Sequence, residues 1–306
     1  MIYILHSGAE LIEDAIKHSK YKDRIVPISP KLNSKVLRAL RKIHIHSNLK
    51  SKKIWVDFLL KNKEPTNSNQ NTVIIFDAPI WIKNIEYIVS RFKDFRIVFW
   101  FWNIVKDQNT ISAIKKSCNN IYTFDKNDAE KHQFKYHPQF TWIDKPVNSS
   151  IIENDIFFVG RNKGRLAFLE KIYKICTDKE IKAKFYIVKD DKKDFSKTIE
   201  LKDEPITYND VIQEINRSKC ILDINQSGQS GLTLRALEAL FLKKKLITNN
   251  KDLVNYDFFK AENIQFLDEK SFFINRRFID GKFLDVKSEI VENYTVDHWI
   301  ETLING

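Results

Sequence analysis

Short apolar runs alternate with helix-like segments along the whole chain, and this rhythm restricts the fold more than any other feature. In the first half, Ile2 to Leu5, Ile25 to Ile28, Ile54 to Phe58, Val73 to Phe76, Ile97 to Phe101 and Ile121 to Phe124 read as strands. Helical periodicity lies between several of them, as in Ile80 to Phe92 and Ile111 to Ser117. The second half repeats the pattern with Ile156 to Val159, Lys184 to Val188, Cys220 to Ile224, Lys245 to Thr248 and Ile264 to Phe266. Such alternation predicts a mostly parallel sheet covered by helices, because a parallel connection must cross over through a segment long enough to hold one. A chain of 306 residues accommodates two α/β domains of this kind. The stretch 136–154 holds two prolines among polar residues, which puts the boundary near Val147. The expected division is therefore 1–147, 148–293 and a last segment 294–306, whose Val296, Trp299, Ile300 and Leu303 form an apolar face.

Within this frame the stretch 218–250, SKCILDINQSGQSGLTLRALEALFLKKKLITNN, is the most informative. An apolar run ends at Asn225 and Gln226, a loop with two glycines follows, and Leu234, Leu237, Glu238 and Phe241 recur at helical spacing, with Thr233 in the first turn. A glycine loop lets a ligand approach the backbone, and the free amides of a helix start attract an anion. Glu238 interrupts an apolar stripe, so its carboxylate needs a partner, for which ribose hydroxyls are suited. The alternative is an ordinary βαβ unit with a glycine turn. Upstream, 155–173 reads DIFFVGRNKGRLAFLEKIY, in which Arg161, Lys163 and Arg165 stand beside Gly160 and Gly164 after an apolar strand. This is either a phosphate-binding turn or a plain basic one, and the chain contains no G-x-x-x-x-G-K-[ST] phosphate loop.

Ser230, Gly231, Thr233, Arg235, Glu238, Ala239 and Leu240 together form an S-G-x-T-x-R-x-x-E-A-L run that resembles the donor-nucleotide site of GT-B glycosyltransferases. More narrowly, it is similar to bacterial enzymes of lipopolysaccharide-core and capsule assembly, and 155–173 resembles the first strand, loop and helix of their C-terminal domain. The resemblance implies an α/β fold of two Rossmann-like domains, GT-B-like, with a last helix crossing back onto the N-terminal domain. It implies a nucleotide-sugar donor, which is a substrate and not a cofactor, bound by Gly160, Arg161, Lys163, Gln229, Ser230, Gly231, Thr233, Arg235 and Glu238. The acceptor it implies is a lipid-linked glycan, a lipopolysaccharide core or capsule precursor, on the N-terminal side.

Sugar transfer from a nucleoside diphosphate builds negative charge on the departing diphosphate, so fixed positive groups must meet it. No D-x-D follows an apolar strand, since LDIN carries Asn225 in the second place. The expectation is therefore a metal-independent reaction in which Arg161 is catalytic, supported by Lys163 and the helix start at Ser230 to Thr233. Asp77, after the run VIIF and before Pro79, is the best candidate for a catalytic base, with an N-cap as its alternative, while Asp107 and Glu13 are weaker. His6, Trp102 and Asn103 sit at strand ends where an acceptor would bind, although a core role for the tryptophan competes. Asp125 and Asp128 look like helix-start caps, and His44 and His46 lack a third metal ligand.

Three widely spaced cysteines suggest neither disulfides nor a zinc site, and hence a reducing compartment. The N-terminus does not read as a signal peptide and no run is long enough to span a bilayer, so a cytoplasmic protein is expected. Between Lys31 and Lys63, ten basic residues against the single acid Asp57 carry nine of the chain's eleven net positive charges, interleaved with Leu37, Leu40, Ile43, Trp55 and Phe58. That mixture suits peripheral contact with the anionic inner face of the cell membrane. A solvated face is the alternative, and no nucleic-acid motif accompanies it. A GT-B-fold nucleotide-sugar epimerase, or a non-catalytic basic membrane- or nucleic-acid-binding protein, remain the rival functions.

Overall fold

A computed structural model describes residues 1–32, 34–47, 53–61, 63, 71–105, 107–143, 151–225, 230–268, 270 and 272–306. The chain divides into two compact units, one of Met1–Pro138 with Val296–Gly306 and the other of Gln139–Thr295. The expected boundary at Val147 lies outside the described residues.

The first unit holds strands β1 (Ile2–Leu5), β2 (Ile25–Ile28), β3 (Thr72–Phe76), β4 (Arg96–Phe101), β5 (Asn120–Thr123) and β6 (Lys135–Tyr136). They form one parallel sheet in the order β2-β1-β3-β4-β5-β6. Every residue of β1 and β3 is buried, as helices on both faces require, which is why these strands read as unbroken apolar runs. Tyr3 stands opposite Val26 on one side and Val73 on the other. The C-terminal helix Val296–Asn305 belongs to this unit: Trp299 is 1% exposed, with its ring 5.7 Å from Phe76 and 5.5 Å from Trp100. Its outer turns are tied down by Asp297, which accepts from the Ser19 hydroxyl at 2.6 Å, and by Glu301, which accepts from Tyr21 at 2.8 Å.

One expected strand is corrected. Ile54 to Phe58 lies in a helix, Lys53–Leu60, with Val56 and Leu60 buried one turn apart. A short apolar run of this length fits either period, and here Trp55 and Leu59 also pack on the core at helical spacing. The helical stretch Ile80 to Phe92 is interrupted, with Pro79–Ile82 and Ile85–Arg91 separated at Lys83 and Asn84.

The second unit holds β7 (Asn154–Arg161), β8 (Ala183–Val188), β9 (Leu201–Lys202), β10 (Ser218–Asp223), β11 (Lys245–Thr248) and β12 (Ile264–Phe266). They form a second six-stranded parallel sheet in the order β12-β11-β10-β7-β8-β9. Alternate residues feed two cores: Ile156, Phe158, Cys220 and Leu222 point to one, Phe157, Ile221 and Leu246 to the other. Both units are thus Rossmann-like. The two-residue strands β6 and β9 are too short to leave a pattern in the sequence. All three cysteines are free and buried, and burial pushes each thiol up to about 12.

Candidate functional site

In a doubly wound sheet the ligand crevice opens at the carboxyl ends of the two strands where the order reverses. In the second unit these are β7 and β10, which lie side by side. The turn after β7 is the basic GRNKGR, and the loop after β10 leads into the helix Leu234–Phe241.

Arg165 joins the two. Its guanidinium donates to the Ile224 carbonyl beyond β10 and to the Arg161 carbonyl at 3.1 Å, and it lies 5.2 Å above the Phe158 ring. Gly160 permits this, because a Cβ there would stand 2.8 Å from Arg165 Nη2. The turn itself is tightened by left-handed backbone at Lys163 (φ 46°) and Gly164 (φ 75°). Its amides are anchored too: Lys163 N donates to Asp190, and Asn162 Oδ1 accepts from Leu166 N at 3.0 Å. Arg161 is exposed and leans toward β8, donating to the Lys189 carbonyl at 3.1 Å. The structure thus brings Arg165 across the crevice and leaves Arg161 and Lys163 at its solvent side.

Thr233 is the N-cap of the following helix, accepting from Ala236 N at 3.2 Å, and its hydroxyl donates to Asp223 Oδ2 at 2.7 Å. Behind it lies an ion pair, Arg235 Nη1 to Glu238 Oε2 at 2.6 Å, without the alignment of a hydrogen bond. Tyr208, from another helix, donates to Glu238 Oε1 at 3.0 Å, and Trp142 packs on that tyrosine with ring centres 5.0 Å apart. Glu238 is fully buried, and burial raises its carboxyl to about 7 against the opposing pull of Arg235 and Tyr208. Burial likewise raises Asp223, opposed by the Thr233 bond and by the charges of Arg165 and Arg235. Two guanidiniums therefore face two carboxylates and largely cancel. Outside that pairing, Arg161 and Lys163 are exposed on the turn after β7.

Ser230 and Gly231 lie just before the capped helix, where the Ser230 carbonyl accepts from Asn250 at 3.3 Å. Gln229, with the rest of 226–229, lies outside the described residues. Glu238 is fully buried, so a ribose hydroxyl reaches it only if the groups that cover it, Tyr208 and Arg235 among them, move aside. Arg165 as a brace and Tyr208 and Asp223 as partners escaped the sequence reading. Arg165 was visible only as one of three basic residues in its turn, and nothing near Tyr208 in sequence marks it.

In the first unit the order reverses between β1 and β3. His6 and Asp77 directly follow these strands. Asp77 is not the N-cap of the next helix, a place taken by Ala78. Its Oδ2 accepts from Asn103 N at 3.0 Å and Asn103 Nδ2 at 3.1 Å, while burial pushes its carboxyl above the usual range. Trp102 is half-buried against Phe76, with ring centres 5.8 Å apart. His6 is 1% exposed, not open at the strand end. Its Nδ1 accepts from Gly8 N at 3.2 Å, which places the proton of the neutral ring on Nε2, and burial lowers its pKa to about 4.

Asp107 and Asp125 cap helices, Asp107 accepting from Thr110 N at 2.9 Å and Asp125 from Asp128 N at 3.1 Å. Asp128 lies inside its helix and accepts from Val105 N at 2.8 Å. Glu13 pairs with Lys31 at 2.5 Å, and His44 accepts from Trp55 Nε1 at 3.0 Å. Among the described residues no three His, Cys, Asp or Glu side chains converge.

No family model and no curated protein matches the chain. Solved structures do. A glycosyltransferase from Rickettsia africae ESF-5 is 12% identical, with a TM-score of 0.56 over 99% of this chain and 97% of that one. Fainter likenesses are to MurG of Acinetobacter baumannii (11% identity, TM-score 0.45, 99% and 90% covered) and to a UDP-GlcNAc 2-epimerase of Neisseria meningitidis bound to UDP-GlcNAc (10%, 0.49, 100% and 99%). At such identities the likeness concerns fold alone, and that fold is GT-B: two Rossmann-like units with parallel six-stranded sheets.

Proposed function

We propose that this chain is a glycosyltransferase that moves a sugar from a nucleotide-sugar donor to a cell-surface glycan acceptor, of the lipopolysaccharide-core or capsule kind. The observation that carries the reading is the β7/β10 crevice, where a basic turn and a capped helix start flank a buried, charge-compensated floor. The donor diphosphate lies between Arg161, Lys163 and the amides of Ser230 to Thr233. As the bond from the anomeric carbon to the diphosphate breaks, those groups stabilise the charge that grows on the leaving oxygen, without a metal. Glu238 takes the ribose hydroxyls in exchange for its Tyr208 bond. In an inverting transfer Asp77, in the acceptor-side unit, receives the proton of the attacking hydroxyl, with Asn103 orienting it and Trp102 against the sugar. His6 lies behind this site. The protein works at the inner face of the cell membrane, as a peripheral contact with anionic lipid; no helix among the described residues is long and apolar enough to cross a bilayer.

A panel of UDP, dTDP, GDP and CMP sugars tests the donor half. The right one, at 100 times its dissociation constant, adds about 2.7 kcal/mol of stability. Absence of stabilisation by any nucleotide would remove the donor site. Incubation with the donor alone, followed by product analysis, separates transfer from epimerisation, and turnover in excess chelator tests the metal-free mechanism.

A further inference from the structure

Of the thirteen large hydrophobic side chains exposed among the described residues, six lie on two neighbouring helices: Val36, Leu37, Leu40 and Ile43 on Lys35–His46, and Ile54 and Phe58 on Lys53–Leu60. Val36, Leu40 and Ile43 follow at i, i+4 and i+7, a single stripe, and are 67%, 53% and 68% exposed. The opposite side of the helix is anchored, since Ile45 is buried in one core with Val56 and Leu60, and Trp55 bonds His44. Ser34 caps its start, accepting from Leu37 N at 3.3 Å. The helix is therefore held in place with an aliphatic ridge turned to water, which a core helix would not show.

Charge selects what covers the ridge. The helix contains no acid. Arg41 is engaged by the Pro30 carbonyl, but Lys35, Arg38 and Lys42 are exposed and have no ion-pair partner among the described residues. A second copy docked ridge to ridge would cover the ridge but leave these cations, which stand well round the helix from it, unexplained. A nucleic acid would meet the cations but leave the ridge unexplained. An anionic bilayer satisfies both, through phosphate headgroups beside the cations and acyl chains around the ridge.

We propose that the helix Lys35–His46 lies in the headgroup layer of an anionic membrane and inserts Val36, Leu40 and Ile43 among the acyl chains. This rests on the membrane reading above and adds that contact is partly apolar, so that salt weakens it without abolishing it. The test is flotation of the protein with phosphatidylcholine vesicles, with and without phosphatidylglycerol, at low and high salt. It compares wild type with Val36→Gln/Leu40→Gln/Ile43→Gln, whose changes are all on solvent-exposed positions and whose fold is checked by circular dichroism. The wild type is expected to keep a bound fraction on anionic vesicles at high salt, and the triple variant to bind at least roughly tenfold more weakly. Absence of wild-type binding at any salt would sink the membrane reading and this inference together. Equal binding by both proteins, all of it lost at high salt, would leave the membrane reading standing and overturn insertion. A wild-type dimer that the triple variant abolishes, with no vesicle binding, would assign the ridge to self-association and overturn it as well.

Discussion

In the unit built on β7 to β12 the floor of the switch-point crevice is ionic: Arg165, Arg235, Asp223 and Glu238, with Tyr208 and Thr233 closing their hydrogen bonds. In the unit built on β1 to β6 the equivalent place has a neutral histidine, whose carbonyl accepts from buried Trp81 at 3.0 Å, and the buried core of the same unit packs Trp100 and Trp299 edge to face. The carboxylate that follows β3, Asp77, accepts from Asn103 and has no ion-pair partner among the described residues. The same layer architecture thus supports two kinds of interior. Buried ions are tolerated only when paired, and their pairing holds loop ends at fixed positions, whereas a ring-packed core gains its order from shape.

The sharpest break of this contrast is expected in the aromatic unit. Trp299→Ala should cost about 3–5 kcal/mol, because the indole fills the space between Phe76 and Trp100. Five of the six tryptophans lie in this unit, so fluorescence-detected urea unfolding follows it selectively. A loss under about 1 kcal/mol would show that the C-terminal helix is not structural.

In the ionic unit, Arg235→Met removes the partner of a fully buried carboxylate and should cost about 3 kcal/mol above neutral pH. The cost should shrink toward pH 5, where Glu238, with its pKa of about 7, holds a proton and needs no cation. Addition of Glu238→Leu should recover most of the loss. An identical loss at both pH values would mean that the guanidinium acts through packing alone.

Removal of Arg161 and Lys163 together should weaken donor binding by about 1.5–3 kcal/mol per lost bond while leaving stability within about 0.5 kcal/mol, since both side chains are exposed. Titration calorimetry with the donor found in the panel reads this directly. Unchanged affinity would move the diphosphate away from the turn.

The pH dependence of stability is expected to differ in sign between the units. Glu238 is raised, so between about pH 4.5 and 7 the folded chain keeps a proton that the unfolded chain releases, and stability falls as pH rises. His6 and His137 are both lowered to about 4 by burial, so the unfolded chain takes up protons first and stability falls as pH drops from 6.5 toward 4. Each pK unit is worth ~1.4 kcal/mol. Glu238→Gln should flatten the first slope without touching the fluorescence-detected one, and His6→Gln should do the reverse. Two slopes of equal sign would undo the contrast.

Local signals in the sequence determined the alternating strands and helices, the two Rossmann-like units, the cap at Asp125 and the glycine-broken loop ahead of Glu238. These rest on neighbours a few residues apart, where periodicity and capping act. The same signals failed at Ile54 to Phe58, where a short apolar run fits two periods until its neighbours decide. Only the tertiary structure decided which cation crosses the crevice and what satisfies the buried carboxylate. Arg165 bonds a carbonyl 59 residues away and Tyr208 reaches Glu238 across 30, so these partners are fixed by strand order, which sets β7 beside β10. No pattern within a single element encodes that adjacency, because it arises from the packing of the sheet as a whole.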